Sequence, residues 1–161
     1  MSNGICVVAQ NNDTTDYVRQ TYGLACSVLA NNPNTNISII TNDNVPEKFK
    51  KVFDKIIEIP WGDLAKQKWK IENRWKVYHC TPYRNTMVFD ADMLILDDIN
   101  WDYHYHNNLA FTTNVTTFRQ EIITNRYYRK TFDANELPDI YTAMYYFKKH
   151  PEVKAYFILL E

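Results

Sequence analysis

In the segment Met87-Val88-Phe89-Asp90-Ala91-Asp92-Met93 an apolar run leads straight into two aspartates separated by one residue. Carboxylates held this close repel each other and cost desolvation energy unless a cation or hydrogen-bond donors neutralise them. Oxygen-only ligands select a hard divalent ion, so magnesium or manganese is the natural partner of Asp90 and Asp92. Such an ion can bridge a diphosphate and act as a Lewis acid on a departing nucleotide, a contribution of roughly several kcal/mol. If the strand persists through the motif, its period of two puts both carboxylates on one side. Aspartates at strand ends also serve as turn and capping residues, so the pair by itself leaves both readings open.

A basic stretch precedes the motif. Lys66, Lys68, Lys70, Arg74 and Lys76 are opposed nearby only by Asp63 and Glu72, a local positive region that would draw a diphosphate or form a solvated helix face. The whole chain is balanced, with a net charge of −1, so no global field favours nucleic acid or an anionic membrane. Three cysteines, Cys6, Cys26 and Cys80, are too few and too scattered for a disulfide framework or a zinc site, and are expected reduced and buried. Neither a signal peptide nor a stretch apolar enough to span a bilayer is visible, which points to a cytoplasmic protein. The sequons at Asn12, Asn36 and Asn114 are then coincidental. Twelve Tyr, eight Phe and four Trp against three Gly imply an aromatic-rich core more than ligand stacking.

The elements that must position these groups alternate. Residues 4–9 form a short β-branched run, the pattern of a strand buried on both faces. Val18, Tyr22, Ala25 and Leu29 then recur at helical spacing, ending near Asn31, Asn32 and Pro33. A second unit follows, with a strand at 37–41, a loop at 42–44 and a short helix opened by Pro46 and running through Phe53. Strands are expected at 55–59, closed by Pro60, and at 86–89, with a charged helical stretch at 63–80 between them. Further strands are expected at 93–96, 109–113 and 141–147, with a closing helix at 151–160 and no clear period over 114–138. At 161 residues this is one α/β domain spanning 1–161, a mostly parallel central sheet flanked by helices on both faces. In such sheets ligands bind beyond the carboxyl ends of the strands, where Asp90 and Asp92 fall.

Three segments carry a family resemblance: VVAQNN after the first strand, NRWKVYHCTPYRNTMVFDADMLIL around the aspartates, and LPDIYTAMYYFKK near the end. Together they resemble the GT-A-fold glycosyltransferases, with the glycogenin and family 8 group as nearest analogue. The resemblance implies a GT-A-like (Rossmann-like) domain and metal-dependent transfer of a hexose from a nucleotide-diphosphate sugar. The donor would be a UDP-sugar such as UDP-glucose, the ion Mn2+ or Mg2+, and the acceptor hydroxyl is left unspecified. Asp92 would ligate the metal directly, Asp90 would contact the ribose and help hold the ion, and Ala91 would lie in the same donor-binding segment. Ala9, Gln10 and Asn12 would form the loop that receives the nucleoside. Tyr17 would stack on the base or pack on the sheet, and Thr41, beside Asn42, would meet the donor or cap its loop. Arg74 is the preferred phosphate or sugar ligand, ahead of Lys68, Lys70 and Lys76. Asp139 would be a sugar-binding or catalytic carboxylate, or a turn residue after Pro138. Tyr141 and Thr142 would reach sugar hydroxyls, whereas Tyr145 and Tyr146 would pack.

The family adds a late histidine to the metal shell, and none of His79, His104, His106 and His150 stands at a matching position, so water is expected as the third ligand. With the chain ending at Glu161, the acceptor side is expected to be open, allowing slow donor hydrolysis or closure by a homodimer. Two other readings stay open. One is a non-catalytic nucleotide-sugar binding module, and the other a metal-dependent nucleotidyl or phosphoryl enzyme, which has no Gly-rich phosphate loop to support it.

Overall fold

The computed structural model describes residues 2–60, 74–102, 106–113, 134–137 and 140–160. Six strands form one sheet: β1 (Asn3–Val8), β2 (Asn36–Ile40), β3 (Lys55–Ile57), β4 (Asn85–Phe89), β5 (Leu109–Thr113) and β6 (Ile140–Lys148). Their spatial order is β3-β2-β1-β4-β6-β5. The β1, β2, β3 and β4 strands run parallel, while β6 lies antiparallel between β4 and β5. The sheet is thus mixed and mostly parallel, and the strand order reverses on either side of β1.

Continuous apolar runs form β1, β2 and β4 because both faces of the sheet are covered. On one face Ile5, Val7, Ile39, Met87 and Phe89 pack with Leu24, Ala25 and Val28 of α1 (Tyr17–Asn31). Phe49 of α2 (Glu47–Lys50) joins this cluster and stacks on Tyr22 with ring centroids 4.1 Å apart. On the other face Cys6, Ile40, Val88 and Phe147 meet Val77 and Tyr78 of α3 (Val77–Cys80) and Val153 and Phe157 of α4 (Pro151–Ile158). Asp16 caps α1 by accepting from the Arg19 amide at 2.9 Å, which satisfies one of the orphan donors of the first turn.

Two expectations need correction. Residues 93–96 form no strand. They run as a loop held against α1, where Ser27 Oγ accepts from the Ile95 amide and Asn31 Nδ2 donates to the Ile95 carbonyl. Met93 and Ile95 pack inward while Leu94 and Leu96 stay exposed, so an alternating pattern here reflects a one-sided loop without ladder partners. Cys26 lies exposed on α1, unlike buried Cys6 and half-buried Cys80, because the helix turns it away from the sheet. All three thiols are free. Among the described residues no helix is long and apolar enough to cross a membrane.

Candidate functional site

The carboxyl ends of β1, β2 and β4 open on one edge of the sheet, at the place where the strand order reverses. There β4 delivers Asp90, and the strand stops: residues 91 and 92 form a turn, with the Met93 amide reaching the Asp90 carbonyl at 3.4 Å. The strand does not persist through the motif, so the condition for a period of two to put both carboxylates on one side is not met. Ala91 sits in the core at 6% exposure, which leaves Asp90 half-buried and Asp92 exposed on either side of it. The two carboxylates interact, and each residue owes its direction to the inward anchor between them.

Asp90 is fixed from two directions. Its amide donates to the Ala143 carbonyl of β6 at 2.8 Å. Its Oδ1 lies 2.5 Å from Nη1 of Arg74, whose side chain is 14% exposed. Arg74 is in turn held through its carbonyl, which accepts from the Tyr145 phenol at 3.5 Å. Burial pushes the Asp90 carboxyl above the ordinary aspartate range, Arg74 pulls it back, and the Asp92 charge pushes it up again. Burial of Tyr145 likewise raises its phenol, which stays protonated and able to donate.

The loop after β1 lies at the same edge. Ala9 is fully buried, its amide donating to the Ile40 carbonyl at 3.0 Å, and Gln10 is half-buried behind it. Asn12 Oδ1 accepts from the amides of Thr14 and Thr15 and from the Thr14 hydroxyl, so this side-chain oxygen folds the loop on itself. Tyr17 begins α1 and packs at the rim of the core. Thr41 is buried with Oγ1 accepting from the Asp43 amide at 3.0 Å, and Asn42 Oδ1 accepts from Ile59, so both cap their loop. Thr142, like Tyr141, is exposed on β6, beyond the Phe89 and Met144 pair and beside the Asp90 anchor at Ala143. Tyr145 and Tyr146 are buried.

Two residues that build this edge were not singled out from the sequence. The Asn11 amide donates to Asp43 Oδ2 at 2.6 Å, and Asn11 Oδ1 accepts from the Val18 amide at 3.1 Å. Together they clamp the β1 loop to the β2 loop and to the start of α1. The only available signal was the polar richness of residues 10–12 and 42–44, which looks the same whether a side chain faces a ligand or a neighbouring loop.

Lys66, Lys68, Lys70, Asp139 and His104 lie outside the described residues. Lys76 sits with its ammonium 5.2 Å above the Trp75 ring. His150 caps α4, and its neighbour Lys149 binds the Arg84 carbonyl at the amino end of β4, the opposite edge from Asp90. Among the described residues no group of three or more His, Cys, Asp or Glu side chains gathers as a metal site.

No protein-family model and no curated protein sequence matches the chain. Solved structures do. A galactosyltransferase, LgtC, crystallised with donor and acceptor sugar analogues, superposes with a TM-score of 0.62 at 17% identity, over 97% of this chain and 64% of LgtC. Mouse xyloside xylosyltransferase 1 gives 0.62 at 10% identity over 100% of this chain and 72% of that one. The bifunctional glycosyltransferase WbbM gives 0.60 at 12% identity over 96% and 33%. The chain thus spans a little under two thirds of the length of LgtC and a third of WbbM. The sheet order, the reversal at β1 and the carboxylates beyond β4 together make this chain a GT-A fold, the fold of these glycosyltransferases.

Proposed function

We propose that this chain transfers a hexose from a nucleoside-diphosphate sugar, a UDP-sugar, to an acceptor hydroxyl, with Asp90 and Asp92 holding Mn2+ or Mg2+. The observation that carries the reading is the carboxylate pair at the carboxyl end of β4, with the Arg74 guanidinium set against Asp90. The donor set fits a hard cation: two oxygen-bearing side chains stand within one turn, and among the described residues one guanidinium, that of Arg74, pairs with Asp90. Once bound, the ion would neutralise the diphosphate and ease departure of the nucleotide.

The chain's own residues then have distinct tasks. Asp92, exposed at the rim, is the direct ligand, and Asp90, held by Ala143 and Arg74, is the ligand that also meets the ribose. Arg74 lies close enough to exchange part of its contact with Asp90 for a phosphate or sugar oxygen, and its planar fork suits either. The loop at 9–12 receives the nucleoside, its shape preset by the Asn11 and Asp43 clamp. Thr142 and Asp139 contact the transferred sugar, and Lys68 adds positive charge toward the diphosphate. Catalysis on this reading is mainly positioning and electrostatic stabilisation of the leaving group.

Calorimetric titration with a panel of nucleotide sugars, with and without manganese, followed by assay for released nucleotide and free sugar, tests the proposal. Metal-dependent binding of one donor with its consumption, by transfer or slow hydrolysis, is the expected result. Tight binding without consumption would make the chain a nucleotide-sugar binding module. Preference for nucleoside triphosphates would move it to nucleotidyl or phosphoryl chemistry, and absence of binding to any donor would overturn the metal-site reading.

A further inference from the structure

A concave site lies at the opposite, amino-terminal edge of the sheet. It is a cleft of about 420 Å3, within the roughly 300–1,000 Å3 typical of small-molecule sites, formed where β1 and β2 begin and the turn at 32–35 leaves α1. Five residue steps of β1 separate it from the Asp90 edge, about 17 Å at the usual rise of a strand.

Its lining has a distinct chemistry. All eight residues are uncharged, and four of them are asparagines, joined by Ser2, Thr35 and Trp101. Some of these groups are committed to the fold. Asn32 donates to the Asp97 carbonyl and accepts from the Ile99 amide, which sets the chain leading to Trp101. Asn36 spends its amide nitrogen on the Asn3 carbonyl at 3.0 Å. Others are left over: among the described residues the side chains of Asn34 and Thr35 make no hydrogen bond, and the Asn36 side-chain oxygen accepts none. Trp101 packs partly on the core and presents the rest of its ring to the cleft.

An amide offers paired donors and acceptors at the spacing of vicinal hydroxyls, and an indole offers a flat apolar face with no need of charge. A ligand suited to both carries several hydroxyls around a ring whose C–H groups form an apolar face. Phosphates, carboxylates and ammonium groups find no counter-charge in this lining.

We propose that this cleft is an accessory binding site for a neutral oligosaccharide, separate from the carboxyl edge of the sheet. The inference does not depend on the transferase reading, because it rests on the lining of another edge. A saccharide held there would anchor a glycan on the protein without occupying the edge that carries Asp90.

Heteronuclear NMR titration of the full chain with maltotriose, cellotriose and chitotriose, using trigalacturonate as the charged comparator, tests it. At least one neutral trisaccharide should shift the Trp101 indole N–H and the amides of Asn34 and Thr35 saturably. Asn34→Ala, in an exposed turn, should weaken that binding about tenfold, roughly the value of one lost hydrogen-bonding side chain, and Trp101→Phe should weaken it while preserving the packing. Asp92→Asn should leave it unchanged. Lack of saturable shifts with all three neutral sugars overturns the proposal, as do shifts confined to residues 9–12 and 90–92. Equal affinity for trigalacturonate, or undiminished affinity in Asn34→Ala, overturns it too.

Discussion

Two polar groupings of this molecule are built on opposite terms. Beneath the amino half of the sheet, the Tyr83 phenol donates to Asp54 at 3.0 Å and shares a 2.6 Å hydrogen bond with Ser38. Thr81 Oγ1 shares a hydrogen bond with Thr86 and accepts from the Cys6 thiol and the Tyr83 amide. Each polar group there finds its partner inside the protein, and burial holds the Tyr83 phenol protonated so that it keeps donating. At the carboxyl edge, among the described residues, Asp90 pairs with the one guanidinium of Arg74 while Asp92 stands exposed beside it, so two carboxylates share one cation. Buried polar groups that are fully paired stabilise one structure, whereas a carboxylate pair left under-compensated stores affinity for something from outside.

The contrast can be broken or sharpened by substitution. The largest effect is expected from Asp92→Asn. It should lower manganese-dependent donor affinity by more than about a hundredfold, because even outer-shell partners of metal ligands contribute roughly 10–100-fold. Thermal unfolding of the variant should remain near that of the parent, since Asp92 is exposed. Unchanged affinity in a folded variant would remove Asp92 from the metal site.

Next comes Gly4→Ala. A Cβ at Gly4 would collide with the Tyr83 ring, which lies directly over that backbone. Overpacking of this kind costs about 1–3 kcal/mol, so chemical denaturation should show a lower midpoint with the slope unchanged. A variant as stable as the parent would mean that Tyr83 can leave its network freely.

Arg74→Ala should have a smaller and selective effect. It should weaken a diphosphate donor about tenfold, the scale of one charge-assisted hydrogen bond, with much less change for the bare nucleoside. Equal losses for both ligands, measured by calorimetry, would place Arg74 outside the phosphate site and make it solely a support for Asp90.

The mildest test concerns the thiols. Burial pushes Cys6 up to about 12 and Cys80 to about 11, so in mildly alkaline solution both remain protonated thiols and react poorly. Iodoacetamide should therefore modify exposed Cys26 first, read by mass spectrometry of the intact protein and its peptides. Early labelling of Cys6 would show that the sheet opens around its satisfied network.

Much of this architecture is local in origin. The apolar runs of β1, β2 and β4, the helical period of α1 and the placement of Asp90 just beyond a strand follow from side-chain pattern alone, because hydrophobic period is a property of neighbouring residues. The same patterns were ambiguous where partners decide. An apolar run reads alike in a parallel or antiparallel strand, so the insertion of β6 between β4 and β5 was set by its long-range hydrogen bonds. Residues 93–96 are a continuous apolar run that reads like a strand, and became a loop because Ser27 and Asn31 of α1 bind their backbone. The acidic motif, and a basic residue before it, were visible as residue types. The Arg74 contact with Asp90, the clamp between Asn11 and Asp43, and the uncharged cleft beside Trp101 join residues far apart in the chain. Sequence determined which segments are apolar and where charge is concentrated, since these are properties of the residues themselves. The tertiary structure alone decided which groups meet, because contact across the sheet depends on strand order and register.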